Sequence, residues 1–116
     1  MEDYIIREID RIGEMLQHIA IKLGLLDSIA PKYTLTDVQN EFGKVDFPID
    51  LELLLQQENP VWYLVEKEKL SDLALETMID ILFHSNLDEA RKQALLDDAL
   101  AYLDGKGYFS FRLHSF

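Results

Sequence analysis

The segment from Ser71 to Gly105 constrains the fold more than any other part of the chain. It holds two stretches with apolar residues at helical spacing, SDLALETMIDILFHS and NLDEARKQALLDDALAYLDG, which follow each other directly. A very short turn forces two consecutive helices to lie antiparallel. The segment therefore predicts an αα-hairpin, the unit of helical-repeat scaffolds, which usually bind other proteins.

The rest of the chain predicts four further helices in a single domain of residues 1–116. Apolar residues recur every three or four positions through the N-terminal part, from Ile5 to Leu26, which predicts a long first helix. Capping residues and prolines mark the starts of the others. We expect helices at roughly 3–25, 35–42 (capped by Thr34 or Thr36), 48–57 (Asp46 or Phe47 before Pro48) and 60–69 (Asn59 before Pro60).

Small residues predict where helices pack closely. Gly13 lies inside the first helix, where glycine costs about 1 kcal/mol relative to alanine, so another helix is expected to approach there. In the second helix of the hairpin, Ala90, Ala94 and Ala99 are expected to face inward and to let two backbones come together.

The C-terminal tail, residues 108–116, has a different pattern. Phe109, Phe111 and Leu113 alternate with polar residues, and this period of two predicts an extended segment. We expect the tail to pack across a groove of the helical body; the alternatives are that it reaches into a neighbouring subunit or stays mobile. The predicted class is all-α, with about six helices in antiparallel hairpins, arranged as a tetratricopeptide-like or irregular bundle, and an extended C-terminal tail.

The charge balance narrows the range of partners. The chain has 22 Asp and Glu against 11 Lys and Arg, a net charge of −11, and the excess is spread evenly. Without clustered bases, binding to nucleic acid or to an anionic membrane surface is disfavoured. We expect the acids to form a solvated surface; the alternative is an acidic face for a basic partner, or a mimic of nucleic acid.

The cysteine content and the lengths of the apolar runs predict the cellular compartment of the protein. The chain has no cysteine, which excludes disulfides and thiolate chemistry. The start Met1-Glu2-Asp3 is acidic where a signal peptide is basic, and no apolar run reaches the ~18–20 residues that span a bilayer. The expected location is the cytoplasm.

The sequence holds no recognisable catalytic or metal-binding motif. His18, His84 and His114 lie in three separate segments, without the spacing of a zinc or iron site. The acid pairs Glu76–Asp80 and Asp97–Asp98 are expected on solvated helix faces. There is no glycine-rich phosphate loop and no nucleophile motif. We expect no cofactor, no metal, no catalytic residue and no enzymatic activity.

Aromatic residues are the candidates for binding a partner. Trp62 and Tyr63 belong to the residue types that dominate binding hot spots, and they lie in a dense apolar cluster over residues 42–65. The alternative is that Trp62 belongs to the core. The candidate partner-binding residues are Phe47, Trp62, Tyr63, Phe109 and Phe111.

The opening residues Glu2-Asp3-Tyr4-Ile5-Ile6-Arg7-Glu8-Ile9 resemble the start of a group of small uncharacterised bacterial proteins, which begin with an Asp-Tyr-Ile-x-Arg-x-Ile pattern and continue as helical hairpins. The hairpin over Leu75 to Leu103 resembles a tetratricopeptide-like unit in Ala90 and the later Ala and Tyr positions, although the Trp-x-x-Leu-Gly-x-x-Tyr pattern is missing. The resemblance implies a bacterial, cytoplasmic, all-helical protein and implies no activity.

These observations favour a helical-hairpin protein–protein interaction module, with a groove or dimer face near residues 47–65 and the tail. Its partner is expected to be another protein or a second copy of the chain. The alternatives are a structural or regulatory homodimer paired through the first helix, an acidic inhibitor that mimics nucleic acid, and an enzyme or metal protein whose site is not visible in the sequence.

Overall fold

The computed structural model describes residues 2–24, 33–47 and 49–115, which form seven helices and no strand. This confirms the all-α class, with one helix more than expected. The helices are α1 (Glu2–Lys22), α2 (Leu35–Lys44), α3 (Leu51–Leu55), α4 (Pro60–Glu66), α5 (Asp72–Phe83), α6 (Glu89–Gly105) and α7 (Phe111–His114). Within these three ranges, no helix combines the length and the hydropathy needed to cross a bilayer.

Helix α5 lies at the centre of the fold and is buried along most of its length. Nine consecutive residues, Ala74 to Leu82, are buried. Four helices, α1, α4, α6 and α7, each contact α5, and together they cover its broad apolar face and the face that carries Glu76 and Asp80. The core that results draws at least one buried apolar residue from every helix.

Helix α1 packs closely on α5, as the glycine in its middle predicts. A Cβ atom at Gly13 would lie 3.2 Å from Cδ2 of Leu73 and 3.7 Å from the backbone nitrogen of Ala74. Leu16 and Ile19, further along the same helix, are buried. The predicted close approach of a second helix at Gly13 is confirmed.

Side-chain caps start most of the helices where the sequence predicts. The Thr34 hydroxyl accepts from the Asp37 N–H, and the Asp37 carboxylate accepts in return from the Thr34 N–H. The Asn59 side chain caps α4, the Ser71 hydroxyl accepts from the Ala74 N–H, and Asp88 caps α6. These residues supply oxygen acceptors for the N–H groups that a helix start leaves unpaired.

The third helix is shorter than predicted and begins later. It covers Leu51–Leu55, and its cap is Asp50, whose carboxylate accepts from the N–H groups of Glu52 and Leu53. The proposed start at Pro48 lies outside the described residues. The Gln39 side chain of α2 donates to the Ile49 carbonyl and accepts from the Leu51 N–H, so it bonds to the backbone on both sides of the Asp50 cap.

Helix α6 contacts α5, as the predicted hairpin requires, whereas their antiparallel orientation stays a prediction. Ala99 is buried, but Ala90 and Ala94 are exposed, so the prediction of a close-packing alanine face is wrong for these two. The buried face is Leu95, Leu96, Ala99 and Leu103. Burying a leucine removes more apolar surface from water than burying an alanine does. A rotation of α6 about its axis that turns leucines toward the core is therefore favoured.

The prediction of an extended tail is wrong. Gly107, with a φ of +81°, ends α6, and the chain then enters the short helix α7. The Ser110 hydroxyl accepts from the Leu113 N–H at 3.1 Å, which favours a helical turn over an extended strand. Leu113 is fully buried, and α7 packs on α5 and α6, so this part of the tail lies against the helical body.

Candidate functional site

A buried polar cluster lies on the face of α5 that α7 covers. Glu76 and Asp80 are four residues apart, which places them on the same helix face. They are only 8% and 5% exposed. The expectation that this acid pair lies on a solvated face is wrong, because α5 is covered on all sides.

Arg112 of α7 neutralises much of this negative charge. One guanidinium nitrogen lies 3.3 Å from a carboxylate oxygen of Asp80, and the other lies 3.7 Å from a carboxylate oxygen of Glu76. Nδ1 of His84 lies 3.1 Å from the other Asp80 carboxylate oxygen. In the described ranges, no buried side-chain nitrogen or oxygen lacks a hydrogen-bond partner. The cluster therefore fastens α7 to α5.

Burial dominates the electrostatics of this cluster. Burial raises the pKa of Asp80, while the positive charge of Arg112 and the hydrogen bonds that Arg112 and His84 make to the carboxylate oppose the shift. Burial also raises the pKa of Tyr108, and the negative charge of Glu76 raises it further. Across the described segments, no group of three or more acidic or histidine side chains is arranged to hold a metal ion.

A groove of about 890 Å³ lies between α2, the segment 50–60 and α6, and we call it the α2–α3–α6 groove. Its walls are held together by side-chain amides. The Gln39 side chain accepts from the Leu51 N–H at 2.8 Å and donates to the Ile49 carbonyl at 3.3 Å. The Asn86 side chain accepts from the Leu35 N–H at 2.8 Å, which ties the start of α2 to the turn between α5 and α6.

The groove combines apolar and acidic lining residues. Its apolar residues are Leu35, Leu51, Leu55, Pro60, Ala94 and Leu95. Among its described lining residues, the acids are Asp50, Glu52, Glu58 and Asp98, and the base is Arg91. Arg91 also lies 3.6 Å from Asp88, outside the groove. The groove is therefore negative at neutral pH.

A second groove, of about 700 Å³, lies between the end of α1 and α2, and its charges are balanced. Lys22 and Lys44 line it together with Asp37 and Glu41. Lys44 pairs with Glu41 at 2.8 Å. This groove has no net preference for a charged partner, in contrast to the α2–α3–α6 groove.

The predicted aromatic candidates differ in how much of each side chain is exposed to solvent. Phe47 is 6% exposed, with its ring centroid 4.8 Å from that of Phe42, so it belongs to the core and has no surface to offer a partner. Tyr63 is partly buried against the core. Trp62 is 53% exposed, which excludes the alternative that it is a core residue.

The two aromatic candidates of the tail lie on either side of Ser110. Phe109 is 59% exposed and stacks on the imidazole of His114, with the ring centroids 4.7 Å apart. The side chain of Phe111 lies outside what the structure describes. Sequence reasoning missed the α2–α3–α6 groove because Gln39, Asp98 and Leu55 come from three separated segments.

The fold and the two sites define a small all-α protein with an internal ionic cluster and an acidic surface groove. Comparison with protein-family models, with curated proteins and with solved structures found no match to this chain. The resemblance to the small bacterial helical proteins and to a tetratricopeptide-like hairpin stays a prediction.

Proposed function

We propose that this chain is a protein-binding module without catalytic activity, working in the bacterial cytoplasm. The observation that carries the proposal is the α2–α3–α6 groove. Its residues Thr36, Asn40 and Gln56 are exposed, so the groove is open along its rim, and its floor contains leucines. Open grooves with apolar floors are the surfaces into which short segments of partner proteins dock.

Exposed apolar side chains on the neighbouring helices support the same proposal. Leu53 of α3 and Trp62 of α4 are both exposed, and these two helices contact each other. Large apolar side chains on a surface favour association because burying them against a partner removes them from water.

The alternative functions have less support. In the part of α1 whose side chains are described, Leu16, Ile19 and Ala20 are buried within the chain itself, and Ile21 is the large apolar residue left exposed, at 55%. This part of α1 therefore offers little apolar surface for pairing two copies. A catalytic role for Glu76 and Asp80 is weakened because Arg112 and His84 occupy their carboxylates. Neither acid lines the α2–α3–α6 groove.

Photo-crosslinking in the cells that make the protein tests the proposal. A benzoylphenylalanine replaces Gln56, which lines the groove, and in a control it replaces Gln93, an exposed glutamine outside it. We expect an adduct with another protein at position 56 and none at position 93. No adduct at position 56, or equal adducts at both positions, would contradict the proposal. An adduct at twice the mass of the chain would contradict the proposal of a separate partner and would indicate a homodimer.

A further inference from the structure

We infer that the α2–α3–α6 groove receives a basic amphipathic segment of the partner protein. The inference rests on the proposed function and names the chemistry of the partner. It combines three properties of the groove: its charge, its apolar floor and its open rim.

The charge of the groove selects for a cation. Within the described ranges, four carboxylates line it, on Asp50, Glu52, Glu58 and Asp98, and one guanidinium, on Arg91. In the described part of the chain, Glu52, Glu58 and Asp98 form no salt bridge, whereas Arg91 is paired with Asp88. Lysine or arginine side chains of a partner would neutralise these carboxylates, and an acidic segment would be repelled by them.

The floor of the groove selects for an apolar face beside those cations. Leu51 and Leu55 lie four residues apart on α3, and Leu35 and Leu95 come from the two flanking helices. An amphipathic helix that places leucines at i, i+3, i+4 and i+7 presents a stripe of this kind to a groove. Its remaining faces are free to hold lysines and arginines over the acidic rim.

The openness of the groove selects for a chain segment over an enclosed small molecule. Its volume of about 890 Å³ falls within the range of small-molecule pockets. However, Thr36, Asn40, Glu52, Gln56 and Asp98 of its lining are all exposed. A ligand here stays partly in solvent, and a peptide segment that runs beyond the groove can gain contacts outside it.

The net charge of the whole chain acts in the same direction. With a formal net charge of −11, the protein attracts a basic partner from a distance and so raises the rate of encounter. This long-range attraction acts on any basic partner and at any part of the surface, whereas the α2–α3–α6 groove provides one defined binding site. The test must therefore separate a local effect from the general one.

Fluorescence anisotropy with two matched peptides tests the inference. Both are labelled helical peptides of about three turns with leucines on one face; one has lysine and the other glutamate at every remaining position. We expect the lysine peptide to bind at least about tenfold more tightly than its acidic twin. Its affinity should fall as salt rises, because the Debye length shortens from about 10 Å at 0.1 M to about 3 Å at 1 M.

Charge-reversal variants locate the binding. Asp98→Lys and Glu52→Lys change groove residues, and the controls Asp97→Lys and Glu66→Lys change exposed carboxylates outside the groove by the same charge. We expect each groove variant to weaken the lysine peptide about fivefold and each control less than about twofold. If the groove variants and the control variants weaken peptide binding equally, the inference is wrong, because the peptide is then attracted only by the net charge of the protein.

The outcomes also separate this inference from the proposed function. If the acidic peptide binds as well as the basic one, or if neither binds, the inference is wrong. The proposed function still stands in either case if position 56 crosslinks to another protein. If crosslinking and peptide binding both fail, both proposals are wrong.

Discussion

Arg112 offers the sharpest test of how the tail is held on the helical body. We consider Arg112→Met, which keeps a long unbranched side chain and removes the charge. In the variant, Glu76 and Asp80 remain buried, and no other lysine or arginine of the described residues lies within 4 Å of either carboxylate. We expect the folded state to be destabilised at neutral pH.

The magnitude follows from the burial of the two partners. Removing one member of a fully buried ion pair costs about 3–5 kcal/mol. The Arg112 side chain is 34% exposed, so solvent already screens part of the interaction. We expect a loss of about 1–3 kcal/mol in the free energy of unfolding.

The loss should depend on pH with a definite sign. Burial already raises the pKa of Asp80, and removing Arg112 raises it further. A carboxyl whose pKa is higher in the folded state than in the unfolded state favours folding at low pH and opposes it as pH rises through the folded pKa. The destabilisation by Arg112→Met should therefore be largest at neutral pH and should shrink as Asp80 becomes protonated.

Urea unfolding of wild type and variant, at pH 7 and again at a pH near 4.5, measures this dependence. With a denaturant slope of about 1–3 kcal/mol per M, the midpoint at neutral pH should fall by roughly 1 M. Arg91→Met is the control, because Arg91 forms an exposed pair and should cost at most about 0.5 kcal/mol. A loss for Arg112→Met that is independent of pH, or larger at the lower pH, would refute the reasoning.

Two further variants test the packing that positions the groove, again by urea unfolding. Gln39→Ala leaves the buried Leu51 N–H without its acceptor and should cost about 1–3 kcal/mol, whereas Gln93→Ala, on an exposed face, should cost less than about 0.5 kcal/mol; equal losses would contradict the bridging role of Gln39. Gly13→Val places methyl groups against α5 and should cost about 1–2 kcal/mol, whereas the same change at Gly43, where an added Cβ meets no atom within 4 Å, should be nearly neutral. A neutral result at Gly13 would mean that α1 can shift away from α5 at no cost.

The starts of helices could be predicted because their signals are local. The Asn59 and Ser71 caps bond to N–H groups three residues away, so the sequence holds both partners side by side. Gly13 was also informative, because a glycine inside an otherwise regular helix indicates a close neighbour. The start of the third helix was predicted too early because Asp50, and not a residue before Pro48, caps it; the bonds from Gln39 that hold the backbone beside this cap come from a distant part of the sequence.

The tail and the acid pair could not be predicted because their partners are distant in sequence. Arg112 reaches residues on α5, and this contact accompanies the helical turn that α7 forms. On α5, Leu73, Leu75, Met78 and Ile81 share one broad apolar face, and Asp72, Glu76 and Asp80 lie on the remaining face, a pattern typical of a helix with one solvated side. The burial of Glu76 and Asp80 depends on α7, which brings Arg112 over this face.

The candidate site was predicted only in part. The predicted region, residues 47–65, contributes residues between Asp50 and Pro60 to the lining of the α2–α3–α6 groove, but none of the aromatic candidates is among its described lining residues. Trp62 and Phe109 are exposed and Phe47 fills the core, and a binding role for the two exposed rings stays a prediction. The α2–α3–α6 groove joins segments around residues 35–40, 50–60 and 91–98, and no spacing within any one of them reveals the others.

Chemical-shift mapping by two-dimensional NMR tests the binding proposal most directly. The lysine–leucine peptide is titrated into the full chain labelled with nitrogen-15, and the backbone amide shifts are followed. We expect the largest shifts in the three segments of the α2–α3–α6 groove, around Leu35, Leu55 and Asp98, with α7 unaffected. Binding accompanied by shifts centred on α7, or spread evenly over the acidic surface, would contradict the groove as the binding site.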